Sequence, residues 1–142
     1  MSDIDDGLVA ALSQWVEKAE DDSRVMAMLL RMEKCPTDLV GFHAQQCIEK
    51  YMKAVLVMNR IGFPKTHDLN AIFRLMPEST RPEMDELVRR RFTDYATVLR
   101  YPGGGAPIPM AEARDAVRIA RRVRKEIRQL LPKQARRRRR QA

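Results

Sequence analysis

Residues 8–29 read LVAALSQWVEKAEDDSRVMAML. Within this stretch Leu8, Leu12, Trp15, Ala19, Asp22, Met26 and Leu29 recur at spacings of 4, 3, 4, 3, 4 and 3, which is one face of a long α-helix. The only member that is not apolar is an aspartate. A carboxylate on an apolar stripe loses hydration and stays charged only if it is hydrogen-bonded or ion-paired. Asp22 therefore either meets a positive partner inside a bundle or, if the helix register drifts, sits at the edge in water.

The same periodicity continues outward. The helix breaks at Lys34-Cys35-Pro36, and Pro36 suits the first turn of a second helix. That helix has its core face at Val40, Ala44, Cys47, Tyr51, Ala54/Val55 and Met58 and is expected to stop near Gly62. Helices one and two should pair antiparallel. Thr66 is placed to cap a short third helix with Leu69, Ile72, Phe73 and Met76 on its apolar side, ending at Pro77. Pro82 opens a fourth through Leu87, Phe92, Tyr95 and Leu99, closed by Arg100-Tyr101-Pro102-Gly103-Gly104-Gly105. The fifth runs from about Pro109 to Leu131, with Ala113, Ala116/Val117, Ala120, Val123/Arg124, Ile127 and Leu130/Leu131 inward and arginines outward. Strand signals are nearly absent, with no sustained alternation and no Asn-Gly or Asp-Gly hairpin. The fold class is all-α, an antiparallel up-down bundle of four to five helices. Residues 1–132 form its single domain, and 133–142 are a polar basic tail expected to be disordered.

Composition narrows the function classes. A chain of 142 residues, 44% hydrophobic and 32% charged, has room for one core. No apolar run approaches a membrane span, and the opening MSDIDDGLVAAL is acidic where a signal peptide is basic, so a cytoplasmic location is expected. Cys35 and Cys47 match neither a zinc pattern nor a disulfide framework, and no metal or cofactor is expected. The formal charge of +8 is concentrated late in the chain: residues 109–131 carry +4, the segment from Lys133 onward carries six positives and no acid, and everything earlier sums to −2.

Several side chains stand out as possible carriers of chemistry. On the second helix Gln46, Lys50 and Lys53 project from nearly one direction, away from the expected core face. They are either a phosphate-holding cluster or a solvated flank. His43 lies one turn earlier and reads as structural. His67 begins a helix, where the macrodipole disfavours its cation and leaves a neutral ring able to accept a proton, unless it is simply a turn residue packed on Pro64. Arg100 and Tyr101 precede three glycines that let backbone come close to a ligand but do not match a phosphate loop, since no Gly-Lys-Ser/Thr follows.

Taken together, Trp15 with Ala19-Glu20-Asp21-Asp22, the run from Val40 to Ala54 (VGFHAQQCIEKYMKA), Lys65-Thr66-His67-Asp68-Leu69 and Arg100-Tyr101-Pro102 resemble the HEPN family over roughly residues 10–132. The resemblance implies a helical bundle, often dimeric, commonly paired with a minimal nucleotidyltransferase in prokaryotic toxin–antitoxin systems. Several members are metal-independent ribonucleases, in which arginine and histidine stabilise charge and move protons. Their signature is an arginine followed within a few residues by a histidine late in the chain. Here no histidine follows Arg100, and the pair Arg60 and His67 straddles a helix end.

Three expectations follow. In the first, a HEPN module, a binder more than an enzyme, engages a nucleotide, RNA or a minimal nucleotidyltransferase through Asp22, Gln46, Lys50, Lys53, His67, Arg100 and Tyr101, with Arg100 as phosphate ligand and ion-pair partner of Asp22. In the second, His67 works as acid or base with Arg60 or Arg100 in a metal-independent ribonuclease toxin. In the third, the arginine-rich fifth helix and Arg136, Arg137, Arg138, Arg139 and Arg140 dock on nucleic acid. A homodimer is expected from the resemblance.

Overall fold

The computed structural model of the chain describes residues 5–136, which are helical apart from turns and loops and include no strand. Six helices are present: α1 Asp6–Leu30, α2 Thr37–Met58, α3 Leu69–Leu75, α4 Glu86–Ala96, α5 Met110–Leu130 and α6 Lys133–Arg136, with 3-10 turns at Glu78–Thr80 and Val98–Arg100.

Each start has a local cause. The side chains of Asp5, Asp68 and Asp85 accept hydrogen bonds from Leu8, Asn70 and Val88 and so satisfy otherwise orphaned backbone donors. Asp68 thus takes the cap expected of Thr66, whose hydroxyl accepts from the Asp68 amide one step earlier. Helix α4 likewise starts at Asp85 rather than Pro82. Helix α2 ends at Met58, short of Gly62, because Arg60 already adopts a left-handed backbone at φ 57°.

Side-chain pairs fix the topology. Trp15 meets Phe63, Glu20 meets Tyr51 and Asp22 meets His43, so α1 and α2 are antiparallel. Tyr95 reaches Glu112 and Arg91 reaches Asp115, so α4 opposes α5. Asp38 accepts from the Ile108 amide while Tyr51 lies against Arg128, so α2 and α5 run parallel. The four long helices therefore alternate up and down, with α2 and α5 in contact across the short diagonal and α1 and α4 on either side.

Small residues permit that close diagonal: Ala113, Ala116 and Ala120 on α5, and Ala44, Cys47 and Ala54 on α2, are all buried. Gly41 lets α4 close tightly on α2, because a Cβ there would stand 3.1 Å from the Tyr95 ring and 3.4 Å from Ile108 and the ring would have to give by a few tenths of an ångström. The stripe on α1 is buried at Leu12, Ala19, Asp22 and Met26 as its spacing predicts, with Leu8, Trp15 and Leu29 packed at its margins.

The C-terminal boundary of the domain also differs from expectation. Lys133–Arg136 forms a helical turn with Ala135 fully buried, and α6 packs on α1. The folded body extends past residue 132, while 137–142 lie outside the described residues.

Candidate functional site

Helix α2 crosses the centre of the bundle and is buried on most of its circumference, yet it carries Gln45, Gln46, Glu49 and Lys53 among its buried positions. Buried polar groups persist only when they satisfy one another, and these do. Glu49, 3% exposed, accepts at Oε1 from Gln45 at 3.1 Å, from Gln46 at 3.4 Å and from His67 Nδ1 at 2.7 Å, and at Oε2 from Lys53 at 3.1 Å. Gln46 also donates to Gln45 Oε1, and Gln45 and Lys53 donate to the backbone oxygens of His67 and Thr66, pinning the loop before α3. The Lys53 ammonium lies 5.6 Å from the Phe63 ring centroid and 5.9 Å from that of Trp15, within cation–π range.

A second carboxylate repeats the arrangement further along the same seam. Asp22, 7% exposed, receives His43 Nδ1 at 2.8 Å and Lys50 Nζ at 2.6 Å. Each of the chain's two histidines is thus held through Nδ1 by a buried carboxylate that also binds a lysine. An ionised carboxylate only accepts, so Nδ1 carries the proton and, in the neutral ring, Nε2 is left as the proton acceptor. His43 is largely buried, whereas the His67 side chain is 54% exposed.

The sequence-predicted residues divide accordingly. Gln46, Lys53 and His67 converge on Glu49, and Lys50 converges on Asp22. Gln46 and Lys53 are buried instead of forming an outward flank. Asp22 has its expected positive partner, but that partner is Lys50 with His43 and not Arg100. The Arg100 guanidinium lies over the Phe42 ring at 4.2 Å, and Phe42 meets His43 edge-on at 5.1 Å, which leaves Arg100 one ring away from the Asp22 group. Tyr101 is 73% exposed. Arg60 pairs with Asp5 on the surface, away from His67. In the glycine loop, Gly103 and Gly105 take φ of 89° and 96°, and a Cβ on Gly104 would stand 2.6 Å from the Val98 carbonyl, so these glycines serve the turn itself. An open cleft of about 490 Å³ beside the seam is lined by Trp15, Lys18, Asp21 and Lys50, among others on α1.

Glu49 and Gln45 lie in the family-like run, where the sequence alone assigns them no role. The signal available was the Glu49-to-Lys53 spacing of four, with Gln45 a turn earlier, a pattern that favours mutual contact on one helix face. A third carboxylate was also passed over. Glu20 takes a two-pronged contact from Arg124, Nε and Nη2 both at 2.6 Å, together with the Tyr51 hydroxyl at 2.7 Å and Arg128 at 3.4 Å. Burial pushes the Glu20 carboxyl upward, but the bonds from Arg124 and Tyr51 and the nearby guanidinium charges outweigh it and hold it below its ordinary value. The Glu20 carboxylate raises Arg124 further. Burial pushes the Tyr51 hydroxyl and the Cys47 thiol upward, which leaves Cys47 an unreactive core thiol. Among the described residues no group of His, Cys, Asp and Glu could hold a metal, and no helix is long and apolar enough to cross a membrane.

Two comparisons bear on this arrangement. A protein of Methanocaldococcus jannaschii carrying the name "Putative toxin MJ1304" is 38% identical over 60 residues, covering 42% of this chain and 38% of that protein. The chain thus matches well under half of that relative's length. No solved structure matches. The family model for the HEPN domain matches residues 12–130, from the first buried leucine of α1 to the last turn of α5. That span takes in the whole seam, α1 from Leu12 onward and all of α2, α4 and α5, and the chain belongs to the HEPN family.

Proposed function

We propose that the protein is the HEPN component of a prokaryotic two-component pair of the toxin–antitoxin kind, and that it engages a nucleotide or an RNA phosphate along the α1–α2 seam. The observation that carries this is the doubled arrangement in which His43 and His67 are each anchored by a buried carboxylate and a neighbouring lysine. Two carboxylates balance two lysines, so the seam offers an anion oriented donors instead of excess charge. Lys50 borders the open cleft and His67 is half-exposed, which makes them the groups a ligand meets first. The toxin designation in the name of the M. jannaschii relative supports the toxin–antitoxin setting, and a minimal nucleotidyltransferase as the paired protein is what the family resemblance implies.

The test is titration of the full chain with ATP and with a short oligoribonucleotide in the presence of a chelator, followed by thermal shift and by NMR of the histidine rings. Saturable binding that Lys50→Ala and His67→Ala each weaken supports the seam. Binding unchanged in both variants removes it. Co-expression with the nucleotidyltransferase encoded beside it, where one is present, tests the pairing.

One observation favours a second reading, that of a metal-independent ribonuclease. Glu49 orients His67 so that Nε2 can take the proton of a ribose 2′-hydroxyl as that oxygen attacks the adjacent phosphate; the P–O5′ bond then breaks, leaving a 2′,3′-cyclic phosphate, and the departing 5′-oxygen takes a proton from water or from the His67 imidazolium. Neither Arg60 nor Arg100 is held beside His67, so Lys53 or a second copy of the chain would have to stabilise the phosphorane. RNA cleavage in the presence of chelator, abolished in His67→Ala, is the result this reading requires.

A further inference from the structure

We propose that the groove between α5, α6 and α1 is a docking track for a phosphodiester strand, recognised by backbone charge and not by base identity. Arg114, Arg118, Arg121, Lys125 and Arg128 follow one another along α5 at spacings of 4, 3, 4 and 3. That places about one cation per helical turn over roughly 21 Å, a repeat similar to that of successive phosphates on a nucleic-acid strand. The opposite face of the helix, including Ala116, Ala120, Val123 and Ile127, is committed to the core.

At the C-terminal half of this stripe lies an open groove of about 450 Å³ lined by Arg121, Arg124, Lys125, Arg128 and Arg136. Its other two lining residues, Ser23 and Gln129, are neutral and polar. Glu20, behind the groove, grips Arg124 in two-pronged fashion and also holds Arg128, which fixes their guanidinium planes. Arg128 also donates to the Arg136 carbonyl, tying α6 to the groove wall. Arg121 and Lys125 are exposed and have no acidic partner among the described residues. Five cations thus face one carboxylate that is already engaged.

The composition of the lining selects the occupant. Protein interfaces have an apolar or aromatic centre, and this groove has no such side chain. Membrane-surface helices insert an apolar face, and the apolar face of α5 is buried. Phosphate contacts need only arginine and lysine and dominate sequence-independent affinity. Without an aromatic side chain the groove lacks the platform on which successive bases stack most strongly. The groove and the α1–α2 cleft lie on opposite flanks of α1, because Ser23 and Glu20 point away from Gln14, Lys18 and Asp21 on the helical wheel. This inference therefore stands or falls separately from the seam.

The test is fluorescence anisotropy of labelled oligo-U and oligo-dT with the full chain across a salt series. Arg121→Glu combined with Lys125→Glu breaks no ion pair among the described residues. It is expected to weaken binding of both strands about tenfold or more at low salt and to lower the salt slope by about 1.4, two contacts at about 0.7 each. Arg74→Glu combined with Arg90→Glu makes the same charge change on α3 and α4 and is expected to retain affinity and slope. Equal losses in the two double variants, or no loss in either, overturn the proposal. It is equally overturned if the strands do not bind while polyglutamate or phosphatidylserine vesicles do.

Discussion

The α1–α2 seam and the outer face of α5 both concentrate charged side chains on a helix, yet they obey opposite rules. In the seam Glu49 and Asp22 are buried and each cation beside them is matched to a carboxylate. On α5 the cations outnumber the acids, and among the described residues Arg121 and Lys125 remain in water without an acidic partner. Low dielectric makes a missing partner costly in the first place, and solvent makes it nearly irrelevant in the second. Charge in the seam therefore specifies structure, and charge on α5 is available to something outside the molecule. Glu20 belongs to both, since it sits against the Tyr51 hydroxyl of α2 while holding Arg124 and Arg128 of α5.

Removing the acceptor at the centre of the seam is the strongest way to break this contrast. Glu49→Ala strips Lys53 of its counter-ion in a buried site and should cost about 3–5 kcal/mol, measured by urea denaturation. Asp22→Asn should cost less, roughly 1–3 kcal/mol, because Lys50 and His43 retain some access to water once their charge partner is gone.

Glu20 provides a pH test of the bridging position. Its folded-state carboxyl lies below the ordinary 4.5, so its contribution to stability is fully present above that value and is lost as pH falls through the lower folded value. Glu20→Gln should flatten the acid limb of the stability profile below about pH 4.5, seen as a smaller change in urea midpoint between pH 5 and pH 3. An unaltered limb would mean that other carboxylates, such as Asp115 beside Arg118 and Arg91, govern acid unfolding. The smallest effect belongs to Arg121→Ala and Lys125→Ala, which should each leave stability within about ±0.5 kcal/mol. A larger loss would show that these cations are structural after all.

How much of this was readable beforehand depended on whether the cause was local. The periodicity of residues 8–29 and the small residues of α5 specify which faces turn inward, and both were legible. The need of Asp22 for a cation was legible too, since it follows from burial alone. Which cation answers it was not, because the pairing with Lys50 and His43 in place of Arg100 depends on how far α1 slides along α2, a quantity set by packing. Gln46 and Lys53 looked solvent-facing because the expected face of α2 covered only one side, whereas α1, α3, α4 and α5 all pack on that helix. Helix α6 was illegible for a similar reason: a lone Ala135 among charged neighbours has no periodicity and acquires meaning only by docking on α1.

The burial of α2 on most sides also bears on how the molecule can change. Apolar positions there cannot become larger without displacing a neighbouring helix, as the approach of Tyr95 to Gly41 illustrates, and its polar positions cannot change singly without orphaning a partner. Tolerance to substitution should therefore be lowest along α2 and highest on the outer faces of α1 and α5. New binding preferences can accumulate on those two helices while the axle between them stays as it is.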